Sequence, residues 1–306
     1  MKRHLKKLLA WIFHLGQHFG LDILPRHFYS EIPVIHRLRK TEHWREPYSL
    51  VGVAGTDADR QLAFVRDTCT PQISQRLQEL DIHRLACDKN GAVGYGPIEA
   101  QFLYAFVRTH QPQRITQVGC GVSTAVCLAA ATDANYRPTI TCIDPYPTNY
   151  LQEAARANQI RLIQQPIELL PVDYVRELQA GDLFFIDSTH TLGPAGEVTR
   201  IILEMLPRLG DRVFVHFHDI WLPHDFEPGL LSERIFFWHE TALLMAFLCM
   251  NPRFSIRASL SLLHHQRLDE LKQIFVGYQP MKIERGVRTS PGHYPTAIYL
   301  QVSRTD

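Results

Sequence analysis

The chain has 306 residues, 45% of them hydrophobic and 21% charged, with a formal net charge of +1. That is enough apolar material for a sizeable core, in one large domain or two small ones. The near-neutral balance argues against a nucleic-acid partner. Six cysteines without a C-x-x-C pair or zinc spacing argue against a disulfide framework and predict reduced thiols in a cytoplasmic protein.

The chain opens with MKRHLKKLLAWIFHLGQHFG. This opening resembles a weak signal peptide, but its apolar stretch, Leu8 to Phe13, is short for the apolar core of one, no small-residue cleavage site follows, and it is far too short to span a bilayer. A basic amphipathic helix is expected there, either packed on the fold or attached peripherally to an anionic membrane. PRHFYSEIPVIHRL, with two prolines, reads as an extended, ordered loop. Asp57 is placed to cap a helix running to about Cys69, and a second helix begins at Pro71. Residues 1–90 are thus expected to form an N-terminal helical cap, and 91–306 the main domain.

From Pro97 the pattern changes. PIEAQFLYAFVRTH is a helix with Pro97 and Glu99 in its first turn and Phe102, Leu103, Phe106 and Val107 at helical spacing. Strands RITQV, TITCID, IRLIQ, DLFFID and RVFVHFHD then alternate with helices STAVCLAAAT, NYLQEAARAN, PVDYVRELQA and GEVTRIILEMLPRL. This rhythm predicts a doubly wound, mainly parallel sheet whose strands are apolar on both faces. SERIFFWHETALLMAFLCM reads as a helix, with Ala242 to Met250 buried rather than membrane-spanning. FSIRASLSLL and TAIYLQV read as the last two strands.

In such a sheet, ligands collect at the carboxyl ends of the strands. Those ends carry Gly119, Cys120, Gly121 and Ser123; then Asp144, Pro145 and Tyr146; Gln164 and Gln165; Asp187, Ser188 and His190; and His218, Asp219 and Trp221. Gly119 and Gly121 allow a sharp turn and a close ligand approach, and the following helix offers free amide groups. The stretch departs from the dinucleotide pattern G-x-G-x-x-G, because Thr124 stands at the third glycine position. Asp144 closes the next strand, where a carboxylate accepts hydrogen bonds from both ribose hydroxyls of an adenosine; NAD and S-adenosylmethionine share that chemistry. Asp187 and Asp219 could together hold a divalent cation, with His190 and His218 as further ligands or as general bases. Strand alternation puts His216 on the same face as Phe214 and His218, in mid-strand, where a packed core histidine is expected. Tyr95, Tyr146, Trp221 and Trp238 are candidate pocket walls, and Glu99 and Glu240 could reach the pocket from their helices.

The stretch from about Tyr95 to Asp219 resembles the class I S-adenosylmethionine-dependent methyltransferases. Their first motif, E/D-x-G-x-G-x-G, aligns with Gln117, Gly119, Gly121 and Ser123, and their acidic ribose ligand with Asp144. FFIDSTHT followed by LPRLGDRVFVHFHDIWLP is similar to a bacterial branch grouped as methyltransferase family 24, as are LPRHFYSEIP and WHETALLMAFL. The resemblance implies a Rossmann-like seven-stranded sheet with one antiparallel strand near its edge, TAIYLQV standing in the terminal hairpin, and an N-terminal helical extension over the acceptor site. It implies S-adenosylmethionine held by Gln117, Gly119, Cys120, Gly121, Ser123, Asp144, Pro145, Gln165 and Asp187. Gln117 departs from the family's acidic residue, so its contact with the cofactor's ammonium would be lost or made through water.

Methyl transfer requires alignment of nucleophile and methyl group and removal of one proton. His190, His218 and Asp219 are the expected catalytic residues, the histidines titrating near neutrality. Asp187, His218 and Asp219 are the expected ligands of an assisting divalent metal. O-methylation of a small molecule or saccharide-type acceptor is favoured. Alternatives are an iron hydroxylase built on Asp187, His190 and His218, an NAD-linked oxidoreductase, or a non-catalytic cofactor-binding protein.

Overall fold

The computed structural model describes residues 2–41, 43–227, 229, 236–285 and 287–303. They form two compact units, Met1–Glu42 and His43–Asp306. In the first, α1 (Lys2–His18) ends in a chain reversal. The amides of Gly20 and Leu21 bond back to the carbonyls of Gln17 and Gly16. Gly16 is required there, since a Cβ would meet the Leu21 carbonyl oxygen at 2.5 Å. The proline-containing segment that follows is irregular, with a hydrogen-bonded turn closing between His27 and Ser30, and α2 (Ile35–Leu38) then makes a single turn.

The second unit begins with α3 (Ala58–Thr68), α4 (Pro71–Glu79) and α5 (Ile82–Asn90). Each starts on a side chain that accepts a backbone amide: Asp57 from Asp59 and Arg60, Thr70 from Ile73, and Asp81 from Arg84. α3 packs on α6 (Pro97–His110), and α5 on α6 and α7 (Val122–Asp133). The helices of 58–90 therefore belong to the same packed body as the sheet.

That sheet has seven strands. β1 (Arg114–Val118), β2 (Thr139–Ile143), β3 (Arg161–Ile163), β4 (Leu183–Ile186) and β5 (Phe214–Phe217) run parallel. β6 (Phe254–Ser259) follows, then a separate hairpin of β7 (Ile283–Glu284) and β8 (Val287–Arg288), and finally β9 (Ile298–Val302). The order is β3-β2-β1-β4-β5-β9-β6, with β9 antiparallel to both neighbours. This is the expected Rossmann-like methyltransferase sheet with its antiparallel strand one place from the edge.

The strands are apolar on both faces because both are covered. Leu183, Phe185 and Phe214 pack with α3, α6 and α7, while Phe184, Ile186, Val215 and Phe217 pack with Val198, Ile201 and Leu244 on the other side. The helices between the strands include α8 (Asn149–Arg156) and α9 (Glu197–Arg200). After β5 come α10 (Glu240–Leu248), α11 (Leu260–Gln266) and α12 (Leu268–Ile274). Among the described residues, no helix is long and apolar enough to cross a membrane.

Four expected elements differ. PVDYVRELQA holds only a 3₁₀ segment, Val172–Glu177, because Pro171 and an extended Leu178 leave too few residues to nucleate an α-helix. GEVTRIILEMLPRL is α-helical only through Arg200. Pro207 disrupts the ladder, so the Leu206 amide reaches back five residues to Ile201 in a π-turn, and a 3₁₀ turn follows. The helix expected from Ser232 starts at Glu240; residues 230–235 lie outside the described residues. FSIRASLSLL is a strand only to Ser259, whose hydroxyl accepts the Leu262 amide and caps α11.

Candidate active site

The strand order reverses between β1 and β4, opening a crevice at their carboxyl ends. Gly119 passes through it at φ 74°. A Cβ there would lie 1.7 Å from the Asp187 carbonyl oxygen, so only glycine lets the β1 loop cross the end of β4. Gly121, at φ 140°, lies against Asn90 at the end of α5, whose Oδ1 also accepts the Thr148 hydroxyl.

Gln117 and Ser123 do not present themselves to a ligand. Gln117 is fully buried; its amide donates to Ser123 Oγ at 3.2 Å and its Oε1 accepts the Thr124 hydroxyl at 2.8 Å. Thr124 Oγ1 in turn accepts the Gly121 amide. A buried carboxamide offers both a donor and an acceptor, and here both are committed to holding the turn's shape. These two members of the expected cofactor-binding set are thus bonded within the turn itself. The partly exposed members of the expected set are Gly119, Cys120, Asp144, Pro145, Gln165 and Asp187, in a row across the ends of β1, β2, β3 and β4. Asp144 accepts the Cys120 amide through one oxygen (3.3 Å) and the Tyr146 amide through the other (2.8 Å), which fixes the carboxylate beside the glycine turn.

At the ends of β4 and β5 stand Asp187, His190, His218 and Asp219. Each imidazole lies near both aspartates. His190 Nε2 is 3.5 Å from Asp187 and 3.5 Å from Asp219, and His218 Nδ1 is 3.3 Å from Asp187 and 3.6 Å from Asp219. His190 Nδ1–H also donates to Glu240 at 2.7 Å, and His218 Nε2 faces Glu99 at 4.0 Å. Both glutamates are buried, at 1% and 4% exposure, so the two helix carboxylates named from sequence flank the cluster rather than the surface. Tyr95 lies against His218 and Trp238 against His190, with ring centroids 4.9 and 4.7 Å apart. Tyr95, His190 and Asp219 all hold positive φ angles, a backbone strain that non-glycine residues adopt chiefly where surrounding structure enforces it.

Electrostatics follow from this arrangement. Burial works against a charge on His218, but Asp219 and Asp187 outweigh it and push its pKa up to about 10. Burial likewise opposes a charge on His190, and hydrogen bonds to Asp187 and Glu240 overcome it, raising its pKa well above the usual value. Burial tends to raise the pKa of Asp187, yet the two histidines hold it far below the carboxylate range. Glu99 and Glu240 are raised, chiefly by burial. Both shifts favour the charged form of the two site histidines, which lie between the same two aspartates. His216, by contrast, is fully buried, stacked on Phe185 and bonded to the Tyr95 hydroxyl (3.3 Å). Burial and the neighbouring charge of His218 keep it neutral, as a core histidine.

A stability consequence follows. His218 has a folded pKa above its ordinary 6.5. Its stabilisation is complete below pH 6.5 and is lost as pH rises through about 10. Urea unfolding followed from pH 6 to 10 should show stability falling over that window. A His218→Asn variant should be less stable at pH 7 and show a shallower fall; an unchanged slope would contradict the ion pairing.

A cavity of about 290 Å³ opens beside this cluster. Its wall includes His218, Asp219, Glu99, Trp221 and Tyr294, the last two stacked at 5.7 Å. The rim comes from the α6 start, the loop after β5 and the segment 281–296. Thr296 ties these together: its hydroxyl donates to Asp219 Oδ1 (3.0 Å) and its amide to Glu99 Oε1 (2.9 Å). Sequence reasoning missed Thr296, Tyr294 and Asn90. Only the pairing of β9 with β5, invisible in a linear pattern, brings Thr296 to Asp219.

A metal at Asp187, His218 and Asp219 was the other expectation for this place. Their carboxylates already face two imidazolium cations. Among the described residues, no group of three or more His, Cys, Asp or Glu side chains is arranged to hold a metal ion. No chemical step is assigned to one.

A family model described as a methyltransferase domain matches residues 116–220. That span runs from β1 to the residue after Asp219 and contains the glycine turn, Asp144 and the aspartate–histidine cluster. These residues form a class I methyltransferase domain. An uncharacterized protein of Archaeoglobus fulgidus is 26% identical over 187 residues, covering 57% of this chain and 84% of its own. Among solved structures, an S-adenosylhomocysteine-bound methyltransferase of Podospora anserina is similar at 14% identity and a TM-score of 0.39, covering 92% of this chain and 99% of its own. The 1,6-didemethyltoxoflavin-N1-methyltransferase of Burkholderia thailandensis, bound to 1,6-didemethyltoxoflavin and S-adenosylhomocysteine, is similar at 14% identity and 0.37, covering 67% and 78%. Likenesses this loose leave the chemistry to the methyltransferase domain's own residues.

Proposed function

We propose that this methyltransferase domain takes its methyl group from S-adenosylmethionine and places it on a hydroxyl of a small-molecule acceptor. The observation that carries this reading is one row of strand ends. Asp144 follows β2, the glycine turn follows β1, Asp187 follows β4, and His218 and Asp219 follow β5. Three strand spacings separate β2 from β5, roughly 14 Å. A ligand anchored by its ribose on Asp144 can extend along the glycine turn toward the acceptor cavity at the far end. Gly119, Cys120, Pro145 and Gln165 line that course. The free amides at the start of α7 suit the amino-acid carboxylate of the cofactor.

The sulfonium supplies an activated methyl group, so the protein's task is alignment and charge management. A hydroxyl lone pair forms the new C–O bond while the C–S pair departs to sulfur, leaving a neutral thioether. The proton then leaves an oxonium far more acidic than the starting alcohol, and a carboxylate suffices to take it. Asp219 is that carboxylate, held by the Thr296 hydroxyl. His218 and His190, as cations, orient the two aspartates rather than serve as bases, and His218 Nε2, at the cavity wall, is the donor toward an acceptor oxygen. An oxygen acceptor suits Asp219 as the late proton acceptor, whereas an ammonium must lose its proton before its nitrogen can attack.

A crystal of the complex with S-adenosylhomocysteine tests the arrangement. The ribose hydroxyls are expected on Asp144 and the sulfur facing the cavity bounded by His218, Asp219 and Trp221. Sulfur directed away from that cavity would overturn the acceptor assignment.

A further inference from the structure

The methyl-transfer site accounts for nothing in the first 42 residues. Among the described residues, eleven of the nineteen exposed large apolar side chains lie between Leu5 and Ile32, so the exposed apolar surface is concentrated there. Four of them, Leu5, Leu8, Trp11 and Leu15, follow the helical spacing of α1 and share one face, at 43–60% exposure. Exposed Lys6 lies on the opposite side, and exposed Lys7, His14 and His18 run along one flank of that face. α1 contains no acidic residue. Residues 1–42 hold eight Lys and Arg against three Asp and Glu, while the whole chain is only +1. The positive charge is therefore segregated onto this unit and the remainder of the chain is net acidic.

We infer that α1 is a membrane-surface anchor that lies in the plane of an anionic phospholipid bilayer. Seventeen residues give a helix of roughly 26 Å. It is too polar to cross the bilayer and long enough to set its apolar face among the acyl chains. Lys6 and Lys7 then sit at the level of the headgroup phosphates, and Trp11 at the interface where indole rings are favoured. Charge selects this occupant. A second copy of the same unit would bring like charges together, whereas an anionic surface attracts every basic residue of 1–42. The consequence is methylation carried out at a membrane surface.

The test is co-sedimentation of the full chain with phosphatidylcholine vesicles, with and without phosphatidylglycerol. Pelleting is expected with the anionic vesicles and is to be weakened by salt. A K6Q/K7Q variant, changed only at exposed positions, should bind roughly 30-fold more weakly. Leu8→Gln should also weaken binding, by removing apolar contact without touching charge. The proposal is overturned by absence of pelleting with anionic vesicles, by equal pelleting with both kinds, or by K6Q/K7Q binding as well as the parent. It is equally overturned if the chain elutes as a dimer that Leu8→Gln dissociates and does not pellet. None of these outcomes depends on S-adenosylmethionine binding, so the anchor and the reaction stand or fall separately.

Discussion

Asp219→Asn should slow methyl transfer by roughly 10²- to 10⁴-fold, the range spanned by loss of a positioned proton acceptor. The substitution keeps the shape of the side chain and one oxygen for the Thr296 hydroxyl. It removes the negative charge that, with Asp187, holds His218 protonated. Two effects then combine. The departing proton loses its acceptor, and His218 loses one of the two aspartates that favour its charged form. The check is methyl transferred from labelled S-adenosylmethionine to a hydroxylated acceptor, alongside calorimetric affinity for S-adenosylhomocysteine. Affinity should stay within a few-fold of the parent, because Asp219 lies on β5, three strands from Asp144. Loss of cofactor affinity together with activity would place Asp219 in the cofactor site instead.

Asp144→Ala should have the opposite signature. Two hydrogen bonds from a carboxylate to ribose hydroxyls contribute about 3 kcal/mol together, and their loss should weaken S-adenosylhomocysteine binding by roughly 100-fold. The same carboxylate receives the amides of Cys120 and Tyr146. Its removal therefore also loosens the glycine turn, which adds to the loss of affinity. Asp144→Asn, which retains a carbonyl oxygen for one of those amides, should recover part of the binding. If both variants bind as the parent does, the ribose is held elsewhere.

The parallel strands were legible because burial on both faces leaves continuous apolar runs such as LFFI, and their carboxyl ends were legible because polar residues interrupt those runs. The helices that begin at the Asp57 cap and at Pro71 could likewise be read locally, from a capping carboxylate and a first-turn proline. The segments around Pro171 and Pro207 could not, because helical spacing of apolar residues does not show whether the backbone ladder can close. At the site, Asp144, Asp187, His190, His218 and Asp219 could be named because each closes a strand. Three matters needed the third dimension. Gln117 points inward, an orientation that strand alternation at the end of β1 does not decide. The histidines are cations only because two strands bring them against the same two aspartates. Thr296 reaches Asp219 only through an antiparallel strand that returns from the end of the chain.

The claim that the strand-end row is a cofactor site is tested most directly by calorimetric titration of the unmodified protein with S-adenosylhomocysteine. The account predicts saturable binding at one site per chain. Absence of heat and of any stabilisation against unfolding, at concentrations well above those typical of a cofactor, would contradict it.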